Sequence, residues 1–189
     1  MQHKKKRENE HTKRKILLEK SEISLLLDTY DDIFSDFDPR PYSERALSDD
    51  FLLEAKKASR DKESGKVELE FLIPKHLKNA NQEYLIKKRL RSHFKKHHTR
   101  LTQEKKVVIK GGITFTITGI FLMLVATYIL FSTLQKTFIT SFVIVLLEPG
   151  GWFLFWTGLD KIVLESKKFK PDIEFYEKMS RAKINFISY

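Results

Sequence analysis

The chain contains no cysteine. That excludes a disulfide framework, a thiolate metal centre and a cysteine nucleophile, and it leaves the redox compartment open. There is no phosphate-cradling glycine loop and no H-E-x-x-H pattern, and no serine lies at a spacing that suggests a partnered histidine and acid. A non-enzymatic protein without a cofactor is therefore expected. Residues 1–22 are dominated by Lys, Arg, Glu and His around a short "ILL". No cleavable signal peptide is expected there, and insertion into a membrane would fall to internal segments.

Charge itself is missing from two long stretches. Residues 111–134 hold none over 24 positions, and at about 1.5 Å per residue such a helix outruns the roughly 30 Å of hydrocarbon in a bilayer. A second run over 138–159 has Glu148 as its only charge. The two predict a membrane α-helical hairpin, with transmembrane helices over 111–134 and 138–161 and a turn around 135–137. With 189 residues and 41% apolar content, the remainder suffices for one small soluble module. It is too little to cover a hairpin buried inside a soluble protein.

The basic residues predict orientation. Of 35 Lys and Arg, 27 precede Gly111, Lys136 lies in the turn and seven follow from Lys161 onward. Positive charge stays on the cytoplasmic side, so both termini are expected in the cytoplasm of a prokaryote, with the turn outside the inner membrane. Glu148 then lies near mid-membrane, roughly 16 Å from one surface and 20 Å from the other at about 1.5 Å per residue. A charge at that depth costs ~2.5–3.5 kcal/mol on insertion scales, so the group must meet protein, water or a counter-charge, or keep its proton. Pro149 withholds a helical N–H, and Gly150 and Gly151 add freedom. A break or kink is expected at these three residues.

Glu148, Trp152, Trp156 and Asp160 recur every four residues and form a membrane-embedded polar stripe. Two readings compete for it. It lines an ion or ligand path between copies of the chain, or Trp156 and Asp160 mark the membrane interface while Glu148 is bonded structurally across the hairpin. On the first helix Gly112, Gly119 and Ala126 are spaced by seven, which predicts a packed seam, and Thr114 and Thr118 offer hydroxyls to a neighbouring helix.

The rest reads as a basic charged tail (1–22), a small α+β cytoplasmic module (23–80), a basic juxtamembrane helix (81–110) that runs into the first span, and a basic cytoplasmic C-terminal segment (162–189). "DPRPYSERAL" reads as extended chain entering a short strand. Ser48 followed by Asp49 and Asp50 starts a helix that "KESGK" ends. "KVELEFLIP" alternates and is the clearest strand. Ile86, Leu90, Phe94 and Leu101 make an apolar stripe on the long helix. A two-stranded sheet is marginal alone, so the sheet and the stripe are expected to be completed by other copies in a homo-oligomer.

Lys95, Lys96, Arg100, Lys105, Lys106 and Lys110 precede the first span and predict contact with anionic lipid, each worth about 1 kcal/mol near a charged leaflet. Nucleic acid is disfavoured, since stacking aromatics are scarce there. His93 and His97 lie one turn apart, yet only Glu104 offers a further ligand, so no metal site is expected. The acid pairs Asp31–Asp32 and Asp36–Asp38 are better explained by capping and solubility than by acid–base chemistry.

"DPRPYSERAL", "VELEFLIP", a basic helix with "HF", glycines at the start of the first span and "LLEPGGWFLFW" followed by an acid resemble a family of small uncharacterised prokaryotic proteins with two membrane spans. The resemblance covers most of residues 30–185. It implies that Asp38, Pro39, Pro41, Tyr42, Glu148, Gly151, Trp152 and Trp156 are family-type positions, and it departs at Pro149, where an ordinary apolar residue is expected. It implies no activity. The residues lead instead to a homo-oligomeric, possible ion- or proton-conducting channel, against the alternative of a membrane anchor whose module binds a protein partner.

Overall fold

A computed structural model describes residues 23–60, 68–132 and 137–189. The basic tail over 1–22, the "KESGK" helix stop and Lys136 lie outside those residues. Two compact units divide the chain: one runs through His98 and takes in Glu174–Tyr189, and the other is Thr99–Ile173.

In the first unit, β1 (Ile23–Leu26) is followed by helix α1 (Asp49–Arg60) and β2 (Glu68–Ile73). Helix α2 (Ala80–Ser132) begins here, and after the second unit α4 (Lys170–Arg181) and β3 (Lys183–Ser188) return to it. The three strands form one parallel sheet in the order β1-β2-β3. Phe71 of β2 stands between Leu25 and Phe186 in register. The central strand explains the alternating sequence: Leu69 and Phe71 are fully buried while Glu68 and Glu70 are partly exposed.

The missing third strand is thus supplied by the chain's own C-terminal segment. The expected completion by another copy is corrected here, as is the fate of the apolar stripe. Ile86, Leu90 and Phe94 are fully buried in the unit's own core with Phe175 and Met179 of α4. "DPRPYSERAL" makes no strand, only an isolated antiparallel bridge between Phe34 and Leu47. The Asp38 carboxylate instead accepts the Ala46 N–H at 2.7 Å and the Arg40 guanidinium at 2.7 and 2.9 Å, which bends this segment into a loop.

Local signals set the helix starts. Ser48 Oγ accepts the Phe51 N–H, and Asp49 and Asp50 occupy the first turn of α1. Asn79 Oδ1 accepts from Asn81 and Gln82 at the start of α2. The Tyr30 hydroxyl binds that corner from below, accepting the Asn79 N–H at 3.0 Å and donating to Glu83 at 3.2 Å.

The second unit is built from the apolar part of α2 and from α3 (Phe138–Asp160), which opens with a reciprocal Thr137–Thr140 cap. Both are long and apolar enough to cross a membrane, and only 11% and 6% of their most apolar stretches is buried in the chain. Their apolar faces are therefore not spent on a soluble core. Gly112 and Gly119 of α2 meet Gly158 and Gly151 of α3. A Cβ on Gly119 would lie 2.6 Å from the Gly151 carbonyl oxygen and from the Phe155 nitrogen, so the backbones touch where side chains would stand. The seam expected from the spacing of seven is present, with Ala126 5% exposed at its end. Thr114 does not reach across; its hydroxyl, like that of Thr116, donates to the carbonyl four residues earlier in its own helix. The helix does not break at Pro149, Gly150 and Gly151, which all lie within continuous α3. Proline removes one backbone bond, and the flanking turns keep theirs. A π-turn over Lys161–Glu165 follows instead.

Candidate functional site

A step of four residues exceeds one helical turn by about 40°. At that period the stripe winds from the flank of the seam at Glu148 to the opposite face at Asp160. Glu148, Trp152, Trp156 and Asp160 are all exposed, and the two indoles stack with centroids 6.2 Å apart and planes 19° apart. The backbone of Phe155, one residue before Trp156, lies against Gly119 at the seam. The Phe155 ring meets Trp152 and Trp156 edge-on at 6.0 and 5.6 Å, which orients both indoles.

Glu148 and Trp152 border a cavity of about 190 Å³ with Met123, Ala126, Thr127 and Leu130 of α2 and Ile144 of α3. Thr127 donates its hydroxyl proton to the Met123 carbonyl at 2.8 Å, which turns the oxygen lone pairs outward as acceptors. Among the described residues no ion pair reaches Glu148. The described helical stretches 111–132 and 138–160 contain no Lys, Arg or His that could form one. The arrangement is a carboxyl group, a hydroxyl acceptor and an indole face set in apolar walls.

The basic residues are placed separately. Lys95, Lys96, Arg100, Lys106 and Lys110 are exposed and Lys105 is partly so, with Arg100 in a 3.2 Å pair with Glu104. In the first unit His93 and His97 stack at 4.1 Å, and Tyr176 of α4 stacks on His97 at 5.2 Å. His93 Nε2 is buried and accepts or donates no hydrogen bond. Burial first, then the neighbouring His97, Arg89 and Lys96, push its pKa down to about 4. No group of three metal-ligating side chains occurs among the described residues.

The acid pairs hold the loop. Asp32 accepts from the Asp28 and Thr29 amides at 2.7 and 3.0 Å. Asp31 accepts from Tyr42 at 3.1 Å and from Arg45 at 2.5 Å. The Arg40 guanidinium holds the Asp38 carboxyl well below the usual carboxylate range. Tyr42 stacks on Phe34 at 5.0 Å, and from this tied loop Phe37 projects 97% exposed, with Pro39 and Pro41 also exposed. The chain matches no family model, no curated protein and no solved structure.

Sequence reasoning missed Thr127, Met123, Phe155, Tyr176 and Phe37. The first three follow once the glycine seam fixes which faces of two helices meet. Tyr176 lies nearly eighty residues beyond His97, and no local signal joins them. Phe37 was legible as a lone aromatic between two acids.

Proposed function

We propose that the chain is a homo-oligomeric integral protein of a prokaryotic inner membrane, with its two apolar helices spanning the bilayer and Glu148 carrying protons or ions between copies. The observation that carries this reading is the position of Glu148: an acid with no ion pair among the described residues, on the flank of a helix pair whose own contact surface is closed by glycines. A seam with backbone in contact leaves no path inside one hairpin, so a path past Glu148 runs between hairpins. Acids at membrane depth are costly unless they face protein, water or a cation. The lysines and arginines from Lys95 to Lys110 hold the near end of α2 at anionic headgroups and keep both termini cytoplasmic.

Flux into liposomes tests the proposal when read beside oligomer mass for the wild type, Glu148→Gln and Glu148→Asp in one lipid. The Gln variant keeps shape and neutral hydrogen bonding but releases no proton. It is expected to assemble normally and lose flux, while Asp retains part of it. Intact flux in the Gln variant would end the role of this residue.

One observation favours a second reading. Phe37 projects 97% exposed from a loop tied by side-chain hydrogen bonds, which suits an anchored adaptor whose module presents an aromatic to a protein partner. Full flux loss in the Gln variant would count against that reading, since an adaptor's hairpin serves only to localise it.

A further inference from the structure

We propose that the groove between Glu148 and Trp152 binds a small monovalent organic cation, an alkylammonium with an apolar body. This rests on the reading that the hairpin spans a bilayer with Glu148 inside it. The argument starts from charge. Among the described residues Glu148 is the sole charged side chain bordering the cavity, and neither described apolar helical stretch carries a base. A second copy of the hairpin laid over the groove would cover its walls yet bring no counter-charge from the same depth. An ionised Glu148 therefore takes its counter-charge from a ligand.

The walls then select its chemistry. Calcium takes six to eight oxygen ligands, and magnesium keeps several waters. The cavity offers one carboxylate and one hydroxyl oxygen, and Met123, Ala126, Leu130 and Ile144 bring no further side-chain oxygen to complete such a ligand set. An alkylammonium needs none of those ligands. Its charge is matched by Glu148, its arms by the four apolar side chains, and its polarised carbon–hydrogen surface by the Trp152 ring. Phe155 and the stacked Trp156 hold that ring in place. A volume of about 190 Å³ lies below the roughly 300–1,000 Å³ of drug-sized sites, which limits the ligand to short arms.

The chain reports on its own site, because Trp152 and Trp156 are its two tryptophans. Tetramethylammonium chloride titrated into the full chain in lipid nanodiscs is expected to change the tryptophan emission saturably, against equal sodium chloride as reference. Glu148→Gln should weaken the apparent affinity about tenfold or more, through loss of a charge-matched contact. Trp152→Leu, read from Trp156, should weaken it as well. Oligomer mass and helical content of each variant confirm that assembly is intact, and the Trp152 variant keeps the test open if Glu148→Gln fails to assemble. A response that never saturates, or that is unchanged in both variants, overturns the proposal. Saturable binding without flux in liposomes would uphold this site and end the conduction reading. Flux without saturable binding would do the reverse.

Discussion

His93 sits on a helix crowded with like charge. Arg89, Lys96 and His97 neighbour it, Tyr176 packs from α4, and its Nε2 finds no partner. Its pKa is 6.5 when unperturbed and about 4 in the fold. Above about 6.5 neither state holds the proton, so the stability it permits is fully present. As the pH falls from there toward 4, the unfolded chain takes up a proton that the folded chain refuses, and stability declines. Asp38 acts in a separate window. Its carboxyl is held below the ordinary value of 3.8 by Arg40, so its contribution is present above that value and is lost only in stronger acid. Thermal unfolding of the full chain, followed between pH 6.5 and 4, should show a falling midpoint. His93→Phe, which fits beside Phe94 and Tyr176 and does not titrate, should flatten that fall. Parallel curves for the two proteins would show that other groups set the acid limit.

Two helices that meet through glycines depend on the absence of a single atom at each contact. A methyl group on Gly119 would strike backbone atoms of Gly151 and Phe155, which cannot rotate away, whereas one on Gly150 meets nothing within 4 Å. Gly119→Ala is expected to cost about 1–3 kcal/mol by overpacking. Gly150→Ala removes backbone freedom in the middle of a helix and is expected to gain ~0.5–1 kcal/mol. Denaturant titration of the purified hairpin protein should separate the two in sign, and equal losses would place the seam elsewhere. This contact shows what was legible. The two apolar runs, the spacing of Gly112, Gly119 and Ala126, the Ser48 helix start and the alternation of "VELEFLIP" are all local patterns, and each reappears as an element or a seam. β3 was not legible, because "KINFIS" pairs with a strand more than a hundred residues away and only that pairing makes it a strand. The loop at Asp38 was misread for a related reason. Prolines signal extended chain, but the side-chain bonds to Arg40 and Ala46 decide the path. At the candidate site, the polar stripe was visible from its four-residue period, while the facing Thr127 and Met123 needed the helix pairing.

The sheet constrains the whole molecule through connectivity. β2 precedes both apolar helices and β3 follows them, yet the two strands pair along Glu68–Ile73 and Lys183–Ser188. A chain that crosses a bilayer between those strands must cross an even number of times, or they could not hydrogen-bond. Two spans meet that condition, and it agrees with the distribution of positive charge, in which one basic residue of 35 lies between the apolar runs. On the proposed reading that both helices span a bilayer, the strand pairing requires both ends to share a side, and the charge asymmetry is the argument for proposing the cytoplasm as that side. Absence of cysteine makes the test clean, since each engineered thiol is then unique. Lys57 and Lys183 are exposed in the first unit and Thr137 is exposed at the start of α3, so none of the three replacements disturbs a core. In intact cells a membrane-impermeant maleimide is expected to label Thr137→Cys, and to label Lys57→Cys and Lys183→Cys only after permeabilisation. Labelling of Lys57→Cys and Lys183→Cys from outside, with Thr137→Cys protected, would invert the topology while leaving the sheet intact. Labelling of Lys57→Cys and Lys183→Cys from opposite sides would be incompatible with two spans, because β2 and β3 would then be separated by the bilayer that the hairpin crosses.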